Sequence, residues 1–170
     1  DVTITYSEDV TNVGTVTLTI TGIGNYEGTI TKTYEITPAP LKITANDQTY
    51  TYNGQPQGED NATYTDASKV TVEGLQGSDA LTSITLNGQE TNVGEYAGKI
   101  VPSKAAIGNA TGNYEIEYVN GKLTIEKKAV TIIVNDSSKV FDKPDPVFSG
   151  TVTGLVNDDD LGTITYVRTN

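Results

Sequence analysis

The chain has 170 residues, a formal net charge of −11 and a sequence pI near 4.2, and it lacks Cys, His, Met and Trp. Disulfides, thiolate metal sites, cysteine nucleophiles and the commonest general base are therefore excluded, and the acidic balance argues against nucleic acid and anionic membranes, which need clustered Lys and Arg. With 35% hydrophobic residues and 7% aromatics, the core must be thin and drawn from Val, Ile, Leu and Tyr, while Thr, the commonest residue, suits a solvated strand face.

The first predicted elements alternate at period two. Val16, Leu18 and Ile20 face one way and Thr15, Thr17, Thr19 and Thr21 the other, and residues 30–36 do the same, as half-buried strands of antiparallel sheets do. Pro38-Ala39-Pro40 forms a short, stiff joint before a strand at 41–44. Asn53-Gly54, Asn87-Gly88 and Asn120-Gly121 are expected as type I′ hairpin turns. Val70-Thr71-Val72 is a further strand, and Ser78-Asp79-Ala80-Leu81 reads as one helical turn near Asp79 with Ser78 as N-cap. Residues 118–125 alternate again, and Tyr118-Val119-Asn120-Gly121-Lys122-Leu123 is the clearest hairpin in the chain. Glu126-Lys127-Lys128-Ala129 is a second joint, residues 130–134 a strand, and residues 158–161 a second helical turn with Asn157 as N-cap. No segment carries a 3.6-residue period. The fold class expected is all-β: tandem, elongated antiparallel β domains with at most single helical turns.

These elements recur. Thr-Asn-Val-Gly stands at 11–14 and again at 91–94, and Val2-Thr3-Ile4-Thr5-Tyr6 matches Thr82-Ser83-Ile84-Thr85-Leu86, 80 positions on. Gly24-Asn25-Tyr26-Glu27 returns as Gly112-Asn113-Tyr114-Glu115 after 88 positions, and Asn46-Asp47 as Asn135-Asp136 after 89. Gly74-Leu75 followed by Leu81 matches Gly154-Leu155 followed by Leu161. A fixed period marks an array architecture. In this phase residues 1–39 close one repeat, residues 40–127 form a complete one and residues 128–170 open a third. The chain starts mid-repeat at Asp1 and reads as a piece of something longer.

Few residues suggest chemistry. Glu115 and Glu117 could serve as a carboxylate pair, but they share one face of an exposed strand with no His beside them. Asn157-Asp158-Asp159-Asp160 is dense in hard oxygen ligands of the kind Ca²⁺ takes. Its equivalent, Gln76-Gly77-Ser78-Asp79, keeps a single acid, so the run reads as a solvated turn whose acids suit a helix N-terminus. Lys42, Lys99 and Lys122 lie in strands where a Lys–Asn isopeptide bond could form, and nothing in the sequence pairs them with an Asn. Residues 100–111 are an insertion in the complete repeat. They are small and apolar without aromatics, which makes a poor binding hot spot and suits a longer hairpin. The Asn-X-Thr/Ser matches at Asn61, Asn109 and Asn135 read as surface loops. Catalytic, cofactor and metal residues: none. An enzyme is not expected.

Leu41-Lys42-Ile43-Thr44-Ala45-Asn46-Asp47, Tyr52-Asn53-Gly54, the Gly74-Leu75, Asp79, Leu81 block, Thr91-Asn92-Val93-Gly94-Glu95-Tyr96 and the run from Gly112-Asn113-Tyr114 to Thr124-Ile125 follow one order. Together they resemble the MBG-type repeat of bacterial surface proteins and adhesins. The likeness covers residues 40–127, continues into 128–170 with Val152-Thr153-Gly154-Leu155 in register, and makes residues 1–37 resemble the end of a related repeat. It implies an Ig-like sandwich or β-grasp-like fold and extracellular display on a bacterial cell surface, with a stalk or adhesive role, and brings no catalytic residues. The first expectation is thus a non-enzymatic spacer, its partners the neighbouring repeats. The alternative is an adhesion module recognising host glycan, mucin or another cell, which should show an exposed aromatic cluster. Tyr26, Tyr34, Tyr114 and Tyr118 sit at matched or strand positions, and are expected in the core. No membrane insertion is expected, since no apolar run reaches the length of a span.

The two ends pose a separate question. Each half-repeat alone would expose apolar rows, Val16, Leu18 and Ile20 at one end and Val130, Ile132 and Val134 at the other, beside unpaired strand edges. Two arrangements would cover them. Either the physical unit is permuted relative to the repeat and divides the chain near residue 81, or the tail of one molecule completes the head of the next.

Overall fold

The computed structural model describes residues 1–168; the side chains of Asp158 and Asp159, part of the acidic run, lie outside the described residues, as do residues 169–170. The chain is all-β. Helix among the described residues is confined to two 3₁₀ turns, Thr111–Asn113 and Asp158–Leu161. No described helix is long and apolar enough to cross a membrane.

At the N-terminal end β1 (Val2–Tyr6), β2 (Gly14–Gly22) and β3 (Thr29–Ile36) form an antiparallel sheet in the order β1-β2-β3. The register pairs Ile4 with Ile20, Tyr6 with Leu18 and Val16 with Tyr34. Ile4, Tyr6, Leu18, Ile20, Ile30 and Tyr34 therefore share one face, and the Thr residues of all three strands share the other, as the pleat requires. Only Val16 of this face is buried. The expected half-burial of residues 30–36 fails: β3 is exposed along nearly its whole length, because nothing lies over the apolar face.

The middle of the chain holds a complete sandwich of two sheets. One has the order β10 (Tyr114–Val119), β4 (Ala39–Ala45), β7 (Val70–Glu73). The other runs β5 (Gln48–Thr51), β11 (Gly121–Glu126), β9 (Gly94–Ala106), β8 (Ser83–Glu90), β6 (Gln57–Tyr64). Leu41, Ile43, Ile84, Leu86, Ile100 and Leu123 come from both sheets and are at most 1% exposed. With Leu81 and Ile107 they make one hydrophobic cluster. The chain is thus not divided near residue 81, since Leu81, Ile84 and Leu86 pack into the same cluster as Leu41 and Ile43.

Two pairings are parallel, where antiparallel ones were expected: β4 with β10, and β5 with β11. The chain passes from the first sheet to the second at Asn46-Asp47, and again at Asn120, and these two corners nest. A Cβ on Gly121 would stand 2.6 Å from the Ala45 carbonyl oxygen, and the Lys122 amide donates to Asp47 Oδ1 at 2.6 Å. The Asn-Gly pair at 120–121 is therefore a sheet-switching corner, and the predicted hairpin there is wrong. The other two Asn-Gly pairs are not hairpin turns either. Asn53-Gly54 joins β5 to β6, which do not pair with each other, and Asn87-Gly88 lies inside β8. Each glycine admits close backbone approach or positive φ without an I′ turn.

The 3₁₀ turn at Asp158–Leu161 is where sequence placed it, with the Asn157 amide donating to Asp160 Oδ2. Near Asp79 there is a β-turn instead, closed by the Asp79 amide on the Gln76 carbonyl. Gly77 holds φ at +57°, which a right-handed 3₁₀ turn cannot accommodate. The insertion at residues 100–111 extends β9 and its pairing with β8, and buries Ile100, Ala105 and Ile107. It is a longer hairpin strand. Asn109 and Asn135 are exposed outside the strands, whereas Asn61 sits in β6 with φ +47°, at a bulge between Glu59 and Ala62.

One buried polar cluster was not foreseen. Glu59, 3% exposed, accepts hydrogen bonds from Gln48 Nε2 (2.7 Å) and the Tyr64 hydroxyl (2.5 Å), with Lys69 Nζ 3.6 Å away. Tyr50 donates to Gln48 Oε1 at 2.8 Å. The hydrogen bond to the Glu59 carboxylate, helped by burial, pushes the Tyr64 phenol up to about 12 from 10.0. A raised folded-state value means the native protein holds its proton longer than the unfolded chain. Stability from this group is complete below pH 10 and drains away as pH rises towards 12. Urea midpoints measured across pH 9–12 are expected to fall in wild type, and to fall less steeply in Tyr64→Phe.

At the C-terminal end β12 (Thr131–Val134) pairs with β13 (Gly150–Thr153), matching Ile132 to Val152. The complete repeat pairs Ile43 with Val72, the same register after the repeat offsets. The close approach recurs too: a Cβ on Gly74 would meet the Pro40 carbonyl oxygen at 2.4 Å, and one on Gly154 the Ala129 oxygen at 2.7 Å. At the head, Gly14↔Ile36 and Val16↔Tyr34 mirror Gly94↔Ile125 and Tyr96↔Leu123. The tail ladder and the Gly14–Val16 end of the head ladder therefore keep the register of the complete repeat, whereas Tyr6 pairs with Leu18 where its equivalent Leu86 pairs with Pro102, and β3 runs on along β2 through residues 29–31.

Candidate functional site at the joints between repeats

Both repeat boundaries are short, and the first is tied by side chains. At the first, β3 ends at Ile36 and β4 begins at Ala39, leaving Thr37 and Pro38 as the connection. Pro-Ala-Pro is thus only partly linker, since Ala39 and Pro40 open β4. Pro at the start of a strand needs no ladder donor.

The joint is made by the repeated motifs themselves. The Val13 amide donates to Asn113 Oδ1 at 2.9 Å, and Asn113 Nδ2 donates to Asn12 Oδ1 at 2.7 Å. One side-chain amide of the Gly-Asn-Tyr turn so bridges the Thr-Asn-Val loop of the preceding repeat. Asp9 shapes that loop: its Oδ1 accepts from the amides of Thr11 and Asn12 at 3.0 and 2.9 Å, and Asn12 Nδ2 donates to Oδ2 at 2.7 Å. These bonds, led by the Asn12 amide, hold the Asp9 carboxyl down at about 2. On the other side Tyr114 braces the turn that follows β7. Its hydroxyl donates to Asp79 Oδ2 at 2.6 Å and accepts from the Gln76 amide at 2.9 Å. Val13, Ile36, Gln76, Asp79, Asn113 and Tyr114 enclose a small hollow between the two units.

The second joint shows other parts of the same boundary. Within the middle repeat the Tyr52 amide donates to the Glu126 carbonyl at 2.9 Å, and across the boundary Tyr52 lines a hollow with Lys128, Val130, Leu155 and Val156. A Cβ on Gly54 would lie 2.6 Å from Val156 Cγ1, so Gly54 lets the third unit seat. The two joints sit at opposite ends of β9. Asn113 follows the end at Ala106, whereas Tyr52 and Glu126 lie by Gly94, whose partner is Ile125.

The residues weighed for chemistry are not brought together. Glu115 and Glu117 are exposed on β10. Glu117 and Glu73 flank Lys42 across the sheet, a solvated row of mixed charge. Lys42 is exposed, Lys99 pairs with Glu90 at 2.6 Å and Lys122 with Glu95 at 3.6 Å; none is a buried Lys beside an Asn. Among the described residues no group of three or more acidic side chains is placed to hold a metal.

The tyrosines divide. Tyr114 is 8% exposed, but Tyr26, Tyr34 and Tyr118 are 69%, 44% and 38% exposed, contrary to expectation. For Tyr26 and Tyr34 the reason is positional, since their equivalents Tyr114 and Leu123 are core in the complete repeat. Tyr118 sits at the sandwich rim, where its hydroxyl accepts from the Ala105 amide. Sequence reasoning singled out Thr-Asn-Val and Gly-Asn-Tyr as repeat markers but missed that they touch. That both recur, at offsets of 80 and 88 positions, was the available signal.

A family described as MBG domain (YGX type) matches residues 41–124 and 130–170. No curated protein and no solved structure matches the chain.

Proposed function

The chain belongs to the MBG domain family, YGX type, and from that premise we propose that it is a run of non-enzymatic spacer repeats in a bacterial extracellular surface protein. The observation that supports this reading most is the pair of joints at opposite ends of the middle repeat. Each is only a few residues long, and the first is held by contacts between motifs that recur with the period. Such joints pass orientation from one repeat to the next, as a stalk needs and a hinged binding pair does not.

The adhesive reading asks for an exposed aromatic cluster. The exposed Tyr6, Tyr26 and Tyr34 correspond to Leu86, Tyr114 and Leu123, all core in the complete repeat, so they are uncovered core side chains and not a glycan platform. A glycan array and a mucin-binding assay on the folded chain should both be blank; specific capture would favour the adhesion module.

The joint itself is testable. Asn113→Ala removes both bridging hydrogen bonds at an exposed site, each worth about 1 kcal/mol net. The middle repeat should melt within a few degrees of wild type. NMR relaxation should then show β1–β3 tumbling faster than the middle repeat, whereas in wild type the two share one correlation time. Equal correlation times in the variant would mean that the joint is not what orients the repeats.

A further inference from the structure

At one edge of the middle sandwich, side chains from three strands hold the parts of an amide-forming reaction. Gln48 on β5 and Glu59 on β6 are 8% and 3% exposed, and Lys69 stands immediately before β7. Gln48 Nε2 donates to Glu59 Oε1 at 2.7 Å, and Lys69 Nζ lies 3.6 Å from that same oxygen. The Tyr50 hydroxyl donates to Gln48 Oε1 at 2.8 Å. Glu59 Oε2 accepts from the Tyr64 hydroxyl, and Lys69 Nζ sits 5.6 Å from the centre of the Tyr64 ring, within cation–π range. The backbone fixes the approach, since the Asn46 amide donates to the Lys69 carbonyl at 3.0 Å. A nucleophile, a proton carrier and a polarised carboxamide thus converge, which Lys42, Lys99 and Lys122 do not achieve.

We propose that Lys69 and Gln48 join in an intramolecular isopeptide bond, with Glu59 carrying protons and Tyr50 polarising the carboxamide. Glu59 takes a proton from the Lys69 ammonium, and the freed amine attacks Gln48 Cδ. The Tyr50 hydroxyl donates to the oxygen that turns negative in the tetrahedral intermediate. Glu59 gives its proton to Nε2, and the Cδ–Nε2 bond breaks as the Nζ–Cδ amide is completed. A second proton passes from the Lys69 nitrogen through Glu59 to the departing ammonia. One ammonium ion leaves, nothing is oxidised or reduced, and Glu59 ends as the carboxylate it began as. Lys69 is 38% exposed, so the ammonium has a way out to water. The bond ties an edge strand of the five-stranded sheet to the start of β7 in the opposite sheet. The third unit cannot form it, because Ser137 and Ser149 stand at the offsets of 89 and 80 from Gln48 and Lys69.

The test is the intact mass of the full 170-residue chain after denaturation, which spares only covalent links. Wild type incubated folded for days should be lighter than its sequence by one ammonia. A protease digest should yield a branched peptide joining Gln48 to Lys69. Lys69→Arg keeps the positive charge at a rim position without the reactive amine; it should fold and keep the full mass. Glu59→Gln should keep the full mass too, and Tyr50→Phe should lose ammonia more slowly, by roughly 100-fold. Closing a loop of roughly twenty residues should place the melting temperature of wild type about 10 °C above that of Lys69→Arg. In the Lys69→Arg background the hydrogen bonds of Glu59 are measured by themselves. A wild type at the full sequence mass overturns the proposal. So does an ammonia loss that persists in Lys69→Arg, which would belong to a succinimide at an Asn-Gly pair such as Asn53-Gly54.

Discussion

Gly88→Ala is expected to lower the melting temperature of the middle repeat by roughly 15 °C or more, from a loss of at least about 4 kcal/mol. Gly88 holds φ at +136°, and a Cβ built on it would stand 2.0 Å from the Lys99 carbonyl oxygen and 2.8 Å from its carbon. The conflict is with backbone, which has no rotamer to change. Nor can β8 move aside, because it lies between β6 and β9 and pairs with both. Strain at such a φ costs about 1–3 kcal/mol. Relieving the clash would shift Leu86, which is fully buried two residues away, and open a cavity in the cluster. Gly112→Ala is the control: nothing lies within 4 Å of its Cβ position, and a glycine replaced without strain stabilises by about 0.4–1 kcal/mol. Thermal unfolding of both variants checks the argument. A Gly88→Ala protein melting within about 3 °C of wild type, a shift worth under 1 kcal/mol, would mean that β8 and β9 are not packed as described.

That glycine also shows how much was legible in the sequence. Period-two alternation found β2 and β3 of the head sheet, and the repeat offsets found the correspondence of β12 and β13 with β4 and β7. Both signals are local or additive along the chain. Pairing partners are neither. Asn-Gly was read at three places as one turn type, and it serves three different ends: a connection between strands that do not pair, a close approach inside β8, and a corner between sheets. All three need a residue without a Cβ or with a permissive φ, so composition alone cannot separate them. The parallel pairings were hidden for a related reason. Strands that follow each other after two residues look like hairpins unless the corner is known to send them into different sheets. The joint was half legible: both motifs stood out by repetition, but that Asn113 reaches Asn12 and Val13 is a contact across about a hundred positions. Burial at the ends was misjudged where a residue's equivalent is core but its own covering half is missing, as at Tyr26 and Tyr34.

Glu59→Ala is the second change expected to be severe, at about 3 kcal/mol. A carboxylate 3% exposed would be a liability if unpaired, and here its oxygens are shared among Gln48, Tyr64 and Lys69. Truncation leaves the Gln48 amide and the Tyr64 hydroxyl facing a void. Each buried group left unsatisfied costs about 1–3 kcal/mol. The Lys69 contact adds little, since Lys69 is 38% exposed and surface pairs are worth about 0–1 kcal/mol. Glu59→Gln keeps the shape and one acceptor but turns an amide N–H₂ towards a donor, so it should lose roughly half as much, about 1–2 kcal/mol. The discriminating measurement is a double-mutant cycle by urea unfolding with Glu59→Gln and Tyr64→Phe. If the cluster acts as one unit, removing Tyr64 also removes part of what the carboxylate was satisfying. The coupling should then be about 1–2 kcal/mol; additivity within roughly 0.5 kcal/mol would show that Glu59 is held by Gln48 alone. The cluster also bears on specificity of fold. Glu59 precedes the bulge at Asn61 and fixes β6 against Gln48 on β5, the far edge of the same sheet. In a core this thin, that polar tie joins the two edges of the sheet beside the hydrophobic cluster of Leu41, Ile43 and Leu86, against which Tyr50 and Tyr64 pack.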